Sequence, residues 1–235
     1  METTEEHSKL SRWTDSIQKV SIEQIADRIP SEYRDKLIRE FQIRTKNGRK
    51  LRIYTDGWWD MFHYGHARLL EQIKKLYDNV EIIVGVCASE DIKAHKGICV
   101  MSDDERIDSL KHCRWVDDVY YPAPWTPTTE FLDSINADFV AQSSSNAYEE
   151  AVDGIYKQIN DQGRFLPMTR TTNVSASDLL IRVLKDKDDY IERNLKKGYT
   201  RQQLNLGLFE YFLLKTRRAA KNIQKSLGPT EGDRL

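Results

Sequence analysis

Cysteine, proline, long apolar runs and any excess of one charge are what this chain of 235 residues has little of. Its three cysteines, Cys87, Cys99 and Cys113, form no CxxC pair and cannot all pair with one another. A disulfide framework is therefore not indicated, and a reducing compartment is the simpler reading. No stretch approaches the roughly 18 apolar residues of a membrane span, and the N-terminus METTEEHSKL is acidic and polar with no apolar signal core. Lysine and arginine (36) balance aspartate and glutamate (37), so the net charge of -1 carries no nucleic-acid footprint. These absences lead us to expect a soluble, cytoplasmic protein, with the nucleus as a further compartment, and no nucleic-acid partner.

Strand and helix patterns alternate along most of the sequence. Leu51 to Tyr54 read as a buried strand, Thr55 to Tyr64 as a polar and aromatic loop, and Gly65 onward as a helix with Leu69, Leu70, Ile73 and Leu76 on one face. Val80 to Cys87 is an apolar, β-branched run suited to a central parallel strand. Shorter strands are predicted over Asp118–Tyr121, Asp138–Ala141 and Phe165–Thr169, and residues 89–101 read as a polar loop. Capping boxes at Ser21 with Gln24, Ser102 with Glu105 and Ser175 with Asp178 mark three helix starts. Thr126 with Pro127 predicts another, and Tyr148 to Asp161 is predicted helical. The alternation argues for a Rossmann-like α/β fold: a doubly wound, parallel, five-stranded sheet with helical N- and C-terminal extensions. We divide the chain into an N-terminal extension over 1–48, a catalytic domain over 49–190 and a C-terminal helical extension over 191–235. Residues 1 to about 18 read as disordered, and a long helix is expected from Leu204 to Leu227.

The chemistry concentrates where the first strand meets its helix. A loop at the carboxyl end of a parallel strand, followed by a helix N-terminus, offers free amides and a positive dipole end to an anion. His63 and His66 flank Gly65 there, behind Asp56, Gly57 and Asp60. Two histidines three apart can also be a metal pair, but no third ligand follows at metal spacing, and zinc takes three or four. Phosphate is the better match.

The segment YTDGWWDMFHYGHARLL resembles the nucleotidyltransferase superfamily of the cytidylyltransferases, a signature shared more loosely by class I aminoacyl-tRNA synthetases. With IVGVC, HKGICVMSDDER, HCRWVDDV, APWTPTTEFL, DFVA, RTTNVSASD and RNLKKGYTRQQLN, the chain is similar to the CTP:phosphocholine cytidylyltransferase family from about Arg52 to Asn205. That resemblance implies in-line attack of a phosphocholine oxygen on the α-phosphorus of CTP, giving CDP-choline and pyrophosphate. It implies that His63 and His66 stabilise the developing charge, that Lys96 bridges the phosphates of both substrates, and that Arg170, Thr171 and Ser175 hold CTP phosphates. Further nucleotide contacts fall on Asp56, Gly57, Trp58, Trp59, Gly65, Gln142, Ser143, Thr169 and Val174. Phosphocholine would meet Lys96, Trp125 and Ala147, with the Trp125 ring facing the trimethylammonium group. Magnesium would arrive with CTP, no protein metal site is implied, and a homodimer is expected with HCRWVDDV and the first strand near its interface.

The chain departs from the family in two places. Where the family carries His-Asp-Asp-x-Pro-Tyr after the fourth strand, this sequence has Gln142, Ser143, Ser144, Ser145, Asn146 and Ala147, losing a carboxylate and an aromatic wall. The family's Arg-Thr-Glu-Gly-Ile-Ser-Thr-Ser is here Arg170 to Ser177, with Asn173 in the place of glycine. Two alternatives therefore stay open beside the choline enzyme: a weakly active paralogue that regulates a dimer partner, and an enzyme for another phosphorylated alcohol such as phosphoethanolamine. Lys215, Arg217, Arg218, Lys221 and Lys225, next to Phe209, Phe212 and Leu213, suggest membrane contact that is weak at most, or a helix packed on its own dimer.

Overall fold

The computed structural model describes residues 19–143, 154–214 and 216. The expectations for residues 1–18, for Ala147 and most of the loop around it, and for the basic segment around and beyond Thr216 lie outside the described residues. By internal contacts the chain divides into two compact units, Met1–Ala176 and Ser177–Leu235.

In the first unit, α1 (Ile22–Ala26) and α2 (Ser31–Thr45) precede β1 (Leu51–Gly57), α3 (Tyr64–Lys74) and β2 (Val80–Val86). Then come α4 (Ser89–His95), α5 (Asp103–Lys111), β3 (Asp118–Tyr120), α6 (Thr129–Ser134), β4 (Phe139–Gln142), α7 (Lys157–Asp161) and β5 (Phe165–Pro167). The five strands form one sheet in the order β3-β2-β1-β4-β5, and every pairing is parallel. This is the doubly wound α/β arrangement expected from the alternation, and β1 lies at its centre. Side chains alternate across the sheet. Leu51, Ile53, Ile82 and Val84 face Leu69, Leu70 and Ile73 of α3, while Tyr54, Ile83 and Val140 face Leu132, Tyr156 and Ile159.

The N-terminal helices belong to the core of this unit. Ile22, Ile25, Leu37 and Phe41 join the cluster around Leu70 and Phe139. Asp138, buried before β4, accepts hydrogen bonds from Arg44 (3.0 Å), Arg49 (2.6 Å) and the Arg52 backbone N–H (2.9 Å), tying the segment to the sheet.

Several elements differ from the sequence reading. β1 runs three residues further, through Thr55, Asp56 and Gly57, because β2 pairs with all seven of its residues. Residues 89–95 are the helix α4, where a loop is predicted; Ile92 is its one buried side chain, and one buried apolar residue in two turns leaves no periodicity to detect. α6 starts at Thr129 with Thr128, not Thr126, as N-cap, its hydroxyl accepting from the Phe131 N–H at 3.1 Å. β5 ends at Pro167, and α7 begins only at Lys157, since the described residues 154–156 form a bend and turn where helix is predicted.

In the second unit, α8 (Ala176–Lys185) leads from the first, followed by α9 (Lys187–Lys196) and a helical stretch over residues 208–214. The expected helix start at Leu204 is instead a turn over 201–205. Thr200 and Gln203 cap this turn reciprocally at 3.2 and 2.9 Å, and Asn205 in the left-handed region (φ 49°) interrupts the helical path. Among the described residues, no helix is long and apolar enough to cross a membrane.

Candidate active site

Where β1 ends, two unusual backbone conformations carry the chain to α3. Trp59 (φ 57°) and Met61 (φ 47°) both lie in the left-handed region, which non-glycine residues seldom occupy, so the loop between them needs fixed points. Asp60 supplies them: buried, its carboxylate accepts the backbone N–H groups of Met61 (3.1 Å), Val100 (2.9 Å) and Met101 (2.9 Å). It thereby fastens the segment after α4 to the loop after β1. Trp59 supplies another, its indole N–H donating to the Gly85 carbonyl of β2 at 2.9 Å. The ring is 3 % exposed, so Trp59 forms the floor of the site under the loop.

His63 is the N-cap of α3. The Gly65 N–H donates to His63 Nδ1 at 3.1 Å and the His63 N–H donates to His66 Nδ1 at 3.4 Å, the reciprocal geometry of a capping box built from two imidazoles. With both Nδ1 atoms accepting, a neutral ring carries its proton on Nε2 as a donor. The rings stack with centroids 3.9 Å apart and 12° between planes, and Trp59 (5.3 Å) and Phe62 (5.6 Å) close around His66. Burial, then the neighbouring His63 and Arg170, push the pKa of His66 down to about 3, against a smaller opposing effect of Asp60. His66 is thus a neutral hydrogen-bond donor across the physiological range, at the positive dipole end of an eleven-residue helix.

Gly65 has no room for a side chain: a Cβ would lie 2.8 Å from Val174 Cγ1 and 2.9 Å from His63 Cε1. Val174 therefore packs directly on the helix start, and brings with it the loop carrying Thr169, Arg170, Thr171 and, at the head of α8, Ser175. Asn173 adopts the left-handed conformation that a glycine would otherwise supply (φ 62°). Arg170 is exposed, and its charge acts on His66.

Beneath Gly57, Asp56 is buried and its carboxylate accepts from Gln142 Nε2 (2.8 Å) and from the Tyr156 hydroxyl (3.0 and 3.2 Å). Gln142 also donates to the Asp56 carbonyl at 2.9 Å. The altered residue at the end of β4 is therefore joined to the β1 terminus, and the Tyr156 hydroxyl reaches the same point. Ser143 follows Gln142 at the end of β4. Tyr156 was missed in the sequence; it lies in a stretch read only as helix, 100 residues from its partner.

A second group sits on the other side of the loop. Lys96, the C-cap of α4, holds its ammonium 5.7 Å from the Trp58 ring centroid. Trp58 and Trp125 pack together around Cys87, Ile92 and Ala123. The His95 ring, its Nδ1 2.8 Å from the Asp91 carbonyl oxygen, stacks on Trp125 at 4.2 Å and 15°. The structure so brings Trp58 to the side of Lys96 and Trp125, and leaves Gly65, His63, His66, Arg170 and Val174 together on the other. Behind this group Arg106, fully buried, donates to the carbonyls of Trp58 (2.7 Å) and Cys87 (2.8 Å) and to Asp103 (2.8 Å).

No cluster of three or more His, Cys, Asp or Glu side chains suited to a metal ion occurs among the described residues. The two buried carboxylates at and after the end of β1, Asp56 and Asp60, are both engaged in hydrogen bonds.

A cytidylyltransferase-like family model matches residues 54–182, more than half of the chain. Choline-phosphate cytidylyltransferase A of Mus musculus is 46% identical over 158 residues, 67% of this chain and 43% of that protein. Choline-phosphate cytidylyltransferase 2 of Arabidopsis thaliana is 39% identical over 185 residues, 78% of this chain and 60% of that protein. The ethanolamine-phosphate cytidylyltransferase of Dictyostelium discoideum is 36% identical over 148 residues, 63% of this chain and 41% of that protein. The chain spans about half the length of the curated relatives it matches.

Proposed function

The chain belongs to the cytidylyltransferase-like family, and from that premise we propose that it converts CTP and phosphocholine to CDP-choline and pyrophosphate. The observation that carries this reading is the pair of stacked imidazoles that cap α3 reciprocally through Nδ1, with burial holding His66 neutral, at the positive dipole end of that helix. A phosphocholine oxygen attacks the α-phosphorus of CTP, one P–O bond forms, the bond to the β-phosphate oxygen breaks, and pyrophosphate leaves. Such a transfer needs positioning and charge neutralisation, and no protein nucleophile.

In this mechanism His63 and His66 donate to the α-phosphate oxygens as charge develops there. The neutral state of His66 suits the role, since a donor that keeps its proton needs no change of protonation during turnover. Arg170, Thr171 and Ser175 hold the outgoing phosphates, and Lys96 neutralises the incoming one. CTP enters as its magnesium complex; the ion neutralises phosphate charge, and magnesium characteristically binds through substrate phosphates with few protein ligands. Asp56, Gly57, Gln142 and Ser143 line the nucleoside end, with the Gln142 amide oriented by Asp56. Trp125 accepts the ammonium of the acceptor on its ring face. The protein acts as a homodimer in the cytoplasm or nucleus.

A second acceptor is favoured by one observation. His95 already covers a face of Trp125, and the smaller ring surface left suits a smaller ammonium such as that of phosphoethanolamine. A radiolabel assay with CTP, magnesium and each acceptor, run beside His66→Ala, separates the readings. Turnover that prefers phosphocholine and is lost in the variant supports the proposal. Preference for phosphoethanolamine selects the second acceptor, and a folded protein without turnover points to the regulatory paralogue.

A further inference from the structure

Gln72 lies six residues beyond His66 on α3, in the helix face that otherwise carries Leu69, Leu70 and Ile73, and is 7 % exposed. A buried amide needs partners, because an unsatisfied donor or acceptor there costs the desolvation of that group. Two of its three hydrogen bonds go to one residue: Nε2 donates to the Thr169 carbonyl at 2.9 Å, and Oε1 accepts the Thr169 N–H at 3.2 Å. Nε2 also lies 3.3 Å from the Arg68 carbonyl.

This two-way bridge falls where the sheet stops holding the chain. β5 ends at Pro167, and Met168 makes the last ladder contact, its N–H donating to the Gln142 carbonyl at 2.8 Å. From Thr169 onward the side chain of Gln72 does what a neighbouring strand would have done. Five residues later Val174 packs against Gly65 at the start of the same helix. The loop is therefore fastened to α3 at both ends, with Arg170 between the fastenings. Arg68, Gln72 and residues 169–172 line a cavity of about 470 Å³, so that two guanidinium groups share its wall.

We propose that Gln72 is a positioning residue: it sets Thr169, and through it Arg170, against the imidazole-capped end of α3, so that helix and loop clamp the triphosphate of the nucleotide as one body. The ligand in this proposal rests on the cytidylyltransferase reading; the clasp itself rests only on the contacts above. A glutamine with a merely structural role would affect stability and leave the two substrates equally served.

The test compares the wild-type chain with Gln72→Met, which keeps length and loses the amide. Hydrogen exchange without ligand is expected to show about tenfold less protection over residues 169–174, with β1 and β2 unchanged, as the loss of one to two hydrogen bonds implies. In steady-state assays KM for CTP is expected to rise about tenfold while KM for phosphocholine stays within twofold. Unchanged exchange overturns the clasp, and so does a loosened loop with CTP kinetics intact or with both KM values raised alike. A wild-type chain without turnover overturns the functional reading alone, since exchange, together with CTP affinity by calorimetry, then decides the clasp. Should Gln72→Met not fold, Gln72→Glu, which keeps the acceptor and loses the donor, is read in the same way.

Discussion

Acidification should weaken this protein through His66 by an amount the structure sets. The folded chain holds the imidazole at about 3 and the unfolded chain at about 6.5. Between those values the unfolded state binds a proton that the folded state refuses, so stability rises with pH across the window and is lost as pH falls through it. At pH 7 the penalty from this group is nearly absent; at pH 5 linkage makes it about 2 kcal/mol, with roughly 1.4 kcal/mol more for each further unit of acid until the folded value is reached. The assay is urea unfolding of the wild type and of His66→Gln at pH 7 and pH 5. The variant lowers stability by its own amount at both values, and carboxylates titrate alike in both proteins, so only the difference in slope reports His66. We expect the wild type to lose about 2 kcal/mol more than the variant between the two pH values. Equal losses would refute the reasoning, and would mean that the ring is protonated in the folded state or exposed enough to titrate freely. The same burial predicts that His66 contributes no acid limb to kcat/KM above pH 5.

Three further outcomes follow from the site. Asp60→Asn replaces an acceptor for three backbone N–H groups with an amide that turns a donor toward one of them; urea unfolding should show a loss of about 2–3 kcal/mol, and wild-type stability would contradict the anchoring role. Gly65→Ala drives a methyl to within 2.8 Å of Val174 and 2.9 Å of the His63 ring, so stability should drop by about 1–3 kcal/mol and kcat at least tenfold, read by thermal melting and the radiolabel assay. Trp125→Ala removes the ring face offered to the ammonium, and KM for phosphocholine should rise about tenfold or more while KM for CTP holds within twofold, a split that initial-rate kinetics resolves.

What could be read before the structure was what is encoded locally. Ser21 with Gln24 and Ser102 with Glu105 form the capping boxes their spacing predicts, because both partners lie within one helical turn. The five parallel strands were legible from their β-branched, apolar runs, and His63, Gly65 and His66 from their place between strand and helix. The α4 helix was not, since Ile92 is its one buried side chain and leaves no apolar periodicity to detect. Thr126 looked like a cap because Pro127 follows it, yet Thr128 is the hydroxyl that meets the Phe131 amide. The contacts that assemble the site were the least visible. Gln72 meets Thr169 across 97 residues and Tyr156 meets Asp56 across 100, and no local pattern announces either. For Gln72 a faint signal existed, an amide in a helix face otherwise made of leucine and isoleucine. The roles implied by resemblance for Trp58 and Trp59 separate once the backbone is known, because the left-handed turn at Trp59 sends its ring beneath His66 and leaves Trp58 beside Lys96.

The central claim is that a nucleotide's phosphates sit at the imidazole-capped start of α3, opposite Arg170. A crystal structure of the chain grown with CDP-choline tests it most directly. The α-phosphate is expected within hydrogen-bonding distance of His63 and His66 Nε2, and the trimethylammonium group against the Trp125 ring. A ligand bound elsewhere, or no ligand in crystals grown at saturating concentration, would contradict it.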